Sequence, residues 1–124
     1  MARVLVIEDN ASNMTLATFL LESAGHAVLA ATDAEAGLNI ARTEHPELIL
    51  MDIQLPGMDG LEATALLKGD TSTRAIPVIA LTALAMKGDE ERIRAAGCDG
   101  YIAKPLSYRE FLATVAAQLE VTQS

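Results

Sequence analysis

The sequence has no tryptophan, one cysteine, and only 3% aromatic residues among its 124 positions. A lone Cys98 cannot close an internal disulfide, and no ligand cluster surrounds it in sequence. That excludes a disulfide scaffold and points to a reduced, cytoplasmic setting, with Cys98 a small packed residue beside Gly97. So few aromatics leave the core to Val, Ile, Leu, Ala and Met. Positive charge is also short: nine Lys and Arg face seventeen Asp and Glu, a formal net charge of −8. This argues against non-specific binding to nucleic acid or to an anionic membrane surface, and is compatible with basic partners or bound cations. No apolar run is long enough to span a membrane. Val4-Leu5-Val6-Ile7 is too short for a signal peptide and runs directly into Glu8-Asp9.

What is present suits one domain over residues 1–124, large enough to bury roughly two-thirds of its unfolded surface without a staple. No internal linker, repeat or low-complexity stretch interrupts it, and only Val121–Ser124 reads as a frayed end. Five short apolar runs, Val4–Ile7, Ala27–Ala31, Leu48–Met51, Val78–Leu81 and Tyr101–Ala103, read as strands buried on both faces. The alanines make the second run the weakest. Helical patterns fall between them. One runs from Ser12 to Ala24 and stops at Gly25; one is capped by Asp33 and runs through Ala41. Asp59 caps Gly60 to Lys68, another helix runs from Asp89 to Ala96, and Ser107-Tyr108-Arg109-Glu110 forms a capping box for the last. Strand and helix alternating five times imply an α/β domain with a parallel sheet and right-handed crossovers.

Position carries the functional information. Four apolar runs are followed at once by a polar group: Glu8 and Asp9 after Ile7, Asp52 after Met51, Thr82 after Leu81, and Lys104 after Ala103. In a parallel sheet these are the carboxyl ends of the strands, where ligands bind. Three carboxylates in one cleft repel strongly, so either some stay protonated or a cation neutralises them. Oxygen-only ligands point to Mg²⁺, with carboxylates from Glu8, Asp9 and Asp52 and a further oxygen from the Gln54 backbone carbonyl. A carboxylate can attack a phosphoryl group to give an aspartyl phosphate. Asp52 is the best nucleophile, because the two adjacent acids are better placed to hold the ion. Lys104 would neutralise charge on the phosphoryl oxygens and Thr82 would donate a hydrogen bond to one.

The motifs Glu8-Asp9-Asn10, Met51-Asp52-Ile53-Gln54-Leu55-Pro56-Gly57-Met58-Asp59-Gly60, Leu81-Thr82-Ala83 and Lys104-Pro105 resemble the receiver domain of response regulators, the CheY-like family. The resemblance covers about Arg3 to Leu119. With the stretch Met86 to Arg92, it looks like the single-domain regulators of the DivK type, and receivers of hybrid histidine kinases look similar. It implies a (βα)5 doubly wound five-stranded parallel sheet, flavodoxin- or CheY-like, of strand order 2-1-3-4-5. That order comes with the resemblance and not from periodicity. It also implies phosphotransfer to Asp52 from a histidine kinase or histidine phosphotransferase, Mg²⁺ dependence, slow autodephosphorylation, and no other enzymatic activity. Thr82 and Tyr101 would form the switch, and Lys104-Pro105 would be joined by a cis peptide. The downstream protein target would bind the face formed by Lys87–Arg94 and Tyr101, and the phosphohistidine donor would dock beside Met14 and Pro105. Gln54 and Leu84 match variable positions that influence phosphoryl lifetime. Glu8 stands where Asp is common in the family.

Each residue also has a plainer reading. An acid after a strand is usually a cap or turn residue, Thr82 could be a turn hydroxyl, and a tyrosine on a strand is more often packed than switching. His26 and His45 read as surface loop residues. The segment 87–94 reads as a solvated helix with local ion pairs. A phosphorylation-independent adaptor is one rival function. A phosphatase using an aspartyl phosphate is another, but it would want a second acid at position 54, where Gln54 stands. A flavin site lacks its phosphate loop.

Overall fold

The computed structural model describes residues 2–83 and 87–123, with side chains described for 2–83 and 89–120. Leu84, Met86, the Lys87 side chain and the side chains of the Val121–Ser124 end lie outside the described residues. In chain order the elements are β1 (Arg3–Ile7), α1 (Ala11–Ser23), β2 (Ala27–Ala31), α2 (Ala34–Glu44), β3 (Leu48–Asp52), α3 (Gly60–Gly69), β4 (Val78–Thr82), α4 (Lys87–Ala95), β5 (Gly100–Ala103) and α5 (Tyr108–Gln123). The strands form one sheet of order β2-β1-β3-β4-β5, and every neighbouring pair is parallel.

Successive strand residues point to opposite faces, so each strand feeds two cores. Val4, Val6, Leu48, Leu50, Ile79 and Leu81 pack under Ala17, Leu20 and Leu21 of α1 and Phe111, Val115 and Leu119 of α5. Leu5, Ile7, Ile49, Met51, Val78 and Ala80 pack under α2, α3 and Ile93 of α4. Helices on both sides explain why β3 and β4 read as unbroken apolar runs: all their residues are buried. The alanine-rich β2 lies at the edge of the sheet, paired with β1, and is mostly part-exposed, so it has less apolar surface to bury than the inner strands.

The ladders run further than the apolar pattern. Asp52 pairs with Leu81, and Thr82 with Ala103, so both polar residues end strands instead of starting loops. The helices also differ at their ends. Asn10 caps α1, accepting the Asn13 N–H at 2.9 Å, which starts the helix at Ala11 and not Ser12. Asp33 and Asp59 cap α2 and α3 by accepting the N–H groups of Ala36 and Glu62. Helix α2 continues past Ala41 to Glu44 because Arg3 Nη1 donates to the Glu44 carbonyl at 2.8 Å and His45 takes the left-handed conformation (φ 46°) that ends it. Helix α4 begins at Lys87, earlier than Asp89; it carries the ion pairs Arg92–Asp89 and Arg94–Glu90 on its exposed side, while Ile93 anchors it to the core. His26 is partly buried, not a free loop residue: its Nδ1 accepts the Ala2 N–H at 3.2 Å.

Candidate functional site

Register builds the site. Ile7 pairs with Met51, so the next residues along the two strands, Glu8 and Asp52, emerge side by side. Ala103 pairs with Thr82, which brings Lys104 past the end of β4, where its N–H donates to the Thr82 carbonyl at 2.7 Å. Glu8, Asp9, Asp52, Gln54 and Lys104 consequently line one open cleft of about 520 Å³, together with Asn10, Ala11, Asn13 and Ala83. Thr82 lies buried at the end of β4, next to the cleft residue Ala83. Tyr101 is not brought into this cleft. It is 36% exposed and lines a separate groove with Arg94, Asp99 and residues of α5. The Lys104–Pro105 peptide bond is cis.

Glu8 and Asp52 are almost fully buried, at 1% and 3% exposure. Burying charge needs partners. Lys104 Nζ lies 2.8 Å from Glu8 Oε1 and 3.3 Å from Asp52 Oδ2. Backbone donors take the other oxygens: Asn10 N–H reaches Glu8 Oε2 at 3.2 Å, and Gln54 N–H reaches Asp52 Oδ1 at 2.9 Å. Burial, then a hydrogen bond with Glu8 and the Glu8 charge, push the Asp52 carboxyl up to about 6; the Gln54 N–H and Lys104 pull the other way. Burial alone would lower Lys104, but the hydrogen bond to Glu8 and the charges of Asp52 and Glu8 outweigh it and hold its ammonium above the usual lysine value.

These residues fit a hard divalent ion. One oxygen each from Glu8, Asp9 and Asp52 lies within 4.8 Å of the others, a set without nitrogen or sulfur. Glu8 Oε1 is buried and meets the Lys104 ammonium at 2.8 Å.

Sequence reasoning missed two parts of the site. Asn13 lines the cleft one turn into α1, a place readable only once Asn10 is known to be the cap. Gly60 lets the start of α3 press on β3. A Cβ there would meet the Asp52 carbonyl oxygen and lie 2.6 Å from Ile53 Cα, while the Gly60 N–H donates to the Ile53 carbonyl at 3.2 Å. The Asp59-Gly60 pair was read as a helix start, and nothing in its spacing shows that backbone contact.

Comparison with known proteins gives one consistent answer. The response regulator receiver domain family matches residues 4–116. The polar-differentiation response regulator DivK of Brucella ovis is 51% identical over 116 residues, which cover 94% of this chain and 94% of that one. Among solved structures, the receiver domain of a sensor histidine kinase from Pseudomonas aeruginosa superposes with a TM-score of 0.89 at 34% identity, covering 96% of this chain and 98% of that chain. That structure has a magnesium ion coordinated in its active-site cleft. Chemotaxis protein CheY4 of Vibrio cholerae superposes with a TM-score of 0.89 at 26% identity, covering 94% of this chain and 98% of that one.

Proposed function

The chain belongs to the response regulator receiver domain family, whose signalling implies a histidine kinase or phosphotransfer partner, and we propose that Asp52 is its phosphoacceptor. One observation carries the assignment: Asp52 ends β3 at the floor of an open cleft, with an ammonium 3.3 Å away and two further carboxylates around it. In the proposed step an Asp52 carboxylate oxygen attacks the phosphorus of a phosphohistidine. The new O–P bond forms as the P–N bond breaks, and the imidazole leaves with the electron pair of that bond. With its carboxyl near 6, Asp52 is mostly ionised at neutral pH and able to act as nucleophile.

Lys104 would neutralise negative charge on the transferred group, and Thr82 would donate its hydroxyl to one of the phosphoryl oxygens. Glu8, Asp9, Asp52 and the Gln54 carbonyl would hold Mg²⁺, which when bound supplies positive charge against the phosphoryl oxygens. The receiver of the Pseudomonas aeruginosa kinase, with magnesium in its cleft, supports that choice of ion. Phosphorylation would be read out through Thr82 and Tyr101 at the α4–β5 face, where Tyr101 is exposed to a downstream protein. The donor would dock over the cleft between Met14 and Pro105. No helix among the described residues is long and apolar enough to cross a membrane.

Intact-mass spectrometry after incubation with acetyl phosphate and Mg²⁺ tests the assignment. One phosphoryl adduct is expected, absent in Asp52→Ala; an adduct that persists in that variant refutes it.

A further inference from the structure

Strand β5 delivers Lys104 to the cleft, and it is short. It has four residues, lies at an edge of the sheet and buries only Ile102. A slip of one residue against β4 would carry Lys104 about 3.3 Å along the strand and turn it to the opposite face. The ladder between the two strands begins where Ile79 pairs with Gly100. Val78, the first residue of β4, stands just before it and is fully buried. A buried N–H at that point needs a partner.

Asp99, the residue before β5, supplies it. Its own N–H donates to the Val78 carbonyl at 2.7 Å, and its Oδ2 accepts the Val78 N–H at 2.8 Å. These two bonds close a ring with a single residue of β4, so one register satisfies both. Lys68 aims the carboxylate. Its Nζ lies 3.1 Å from the same Oδ2 and donates to the Ile76 carbonyl at 2.9 Å. At the far end of the strand, the Lys104 N–H donates to the Thr82 carbonyl at 2.7 Å. From these contacts we infer that Asp99 is a positioning residue: its carboxylate pins the register of β5 on β4 and so sets where the Lys104 ammonium stands beside Asp52. It acts along the strand, from the end of the sheet opposite the cleft. What the ring requires is an oxygen in that place, and the charge shared with Lys68 is secondary. The inference rests on the proposed part of Lys104 in phosphoryl transfer, but the pin itself belongs to the backbone.

Three variants separate the ring from the ion pair. Asp99→Ala removes both. Asp99→Asn keeps an oxygen at the same reach without the charge. Asp99→Glu keeps the charge but moves the oxygen by one C–C bond, about 1.5 Å. Amide hydrogen exchange by NMR follows the Lys104 N–H, measured against amides of β1 and β3 that report global unfolding. On that scale it should exchange at least about tenfold faster in Asp99→Ala and Asp99→Glu, and within about twofold of wild type in Asp99→Asn. Labelling by acetyl phosphate at saturating Mg²⁺ should slow at least about tenfold in the first two and recover in Asp99→Asn. Wild-type exchange at Lys104 in Asp99→Glu overturns the pin, as does loosening in Asp99→Asn that equals that in Asp99→Glu. A loosened Lys104 with undiminished labelling overturns the positioning role. If Asp99→Ala fails to fold, the contrast between Asn and Glu decides. The exchange measurement needs no phosphoryl donor, so failure of the pin and failure of the phosphoacceptor assignment are separately visible.

Discussion

Replacing Asp52 by Asn should stabilise the fold, and by an amount that depends on pH. The Asp52 carboxyl rises from 3.8 to about 6 on folding, chiefly through burial and its closeness to Glu8. A raised carboxyl pKa means that the folded state holds the proton more tightly than the unfolded chain. The resulting stabilisation is complete below the unfolded value and is lost as pH rises through about 6. Roughly two pKa units correspond to about 3 kcal/mol that ionised Asp52 withholds at neutral pH. Because Glu8 shares the effect and the cleft is open to water, a gain of about 1–2 kcal/mol for Asp52→Asn near pH 7.5 is the reasonable expectation. Asparagine keeps an oxygen for the Gln54 N–H, and Lys104 keeps Glu8, so little is lost in exchange. Between about pH 7.5 and pH 5 the advantage of Asn should shrink by roughly half. Urea unfolding followed by far-UV circular dichroism suits a chain without tryptophan, and the difference between variants cancels the titration of His26, which both keep. A gap that stays constant across that pH range, or a wild type that is the more stable at pH 7.5, refutes the electrostatic reasoning.

Three other substitutions probe the scaffold beneath the site. Gly60→Ala forces a methyl against the backbone of Asp52 and Ile53 and should cost about 2–3 kcal/mol in urea unfolding, with acetyl phosphate labelling impaired even in the folded fraction. His45→Gly relieves a left-handed backbone at the end of α2 and should stabilise by about 1 kcal/mol in the same assay. Lys68→Met removes the donor at 2.9 Å from the Ile76 carbonyl and the ion pair with Asp99, and should cost about 1–2 kcal/mol while leaving Mg²⁺ binding unchanged by calorimetry.

The sheet was legible because its strands are buried on both faces, which compresses them into short apolar runs with helices between. The site was legible because chemistry at the carboxyl ends of parallel strands falls immediately after those runs. The misses share a cause. Asp52 and Thr82 lie inside the ladder because hydrogen bonding tolerates a polar residue that apolar periodicity rejects. The continuation of α2 to Glu44 depends on Arg3, which is distant in sequence and supplies the donor for the helix end. The Glu8–Lys104 contact joins the residues that follow β1 and β5, strands that do not pair, and only the three-dimensional rim makes it visible.

The charge balance of that rim explains how a stable fold carries an unstable site. Three carboxylates facing one ammonium leave two negative charges when all are ionised, and one when the Asp52 carboxyl holds its proton. Two peptide N–H groups, from Asn10 and Gln54, soften this by donating to Glu8 and Asp52. The starts of α1, α2 and α3, capped by Asn10, Asp33 and Asp59, turn their partial positive charge toward the same end of the sheet. None of these contributions amounts to a full charge, so the remainder matches a divalent cation in both sign and size. The strain stays local because β1, which Glu8 follows, and β3, which Asp52 ends, lie inside the sheet with apolar cores on both faces. Relief of the cluster therefore falls to the side chains at the rim, where Lys104 meets both Glu8 and Asp52.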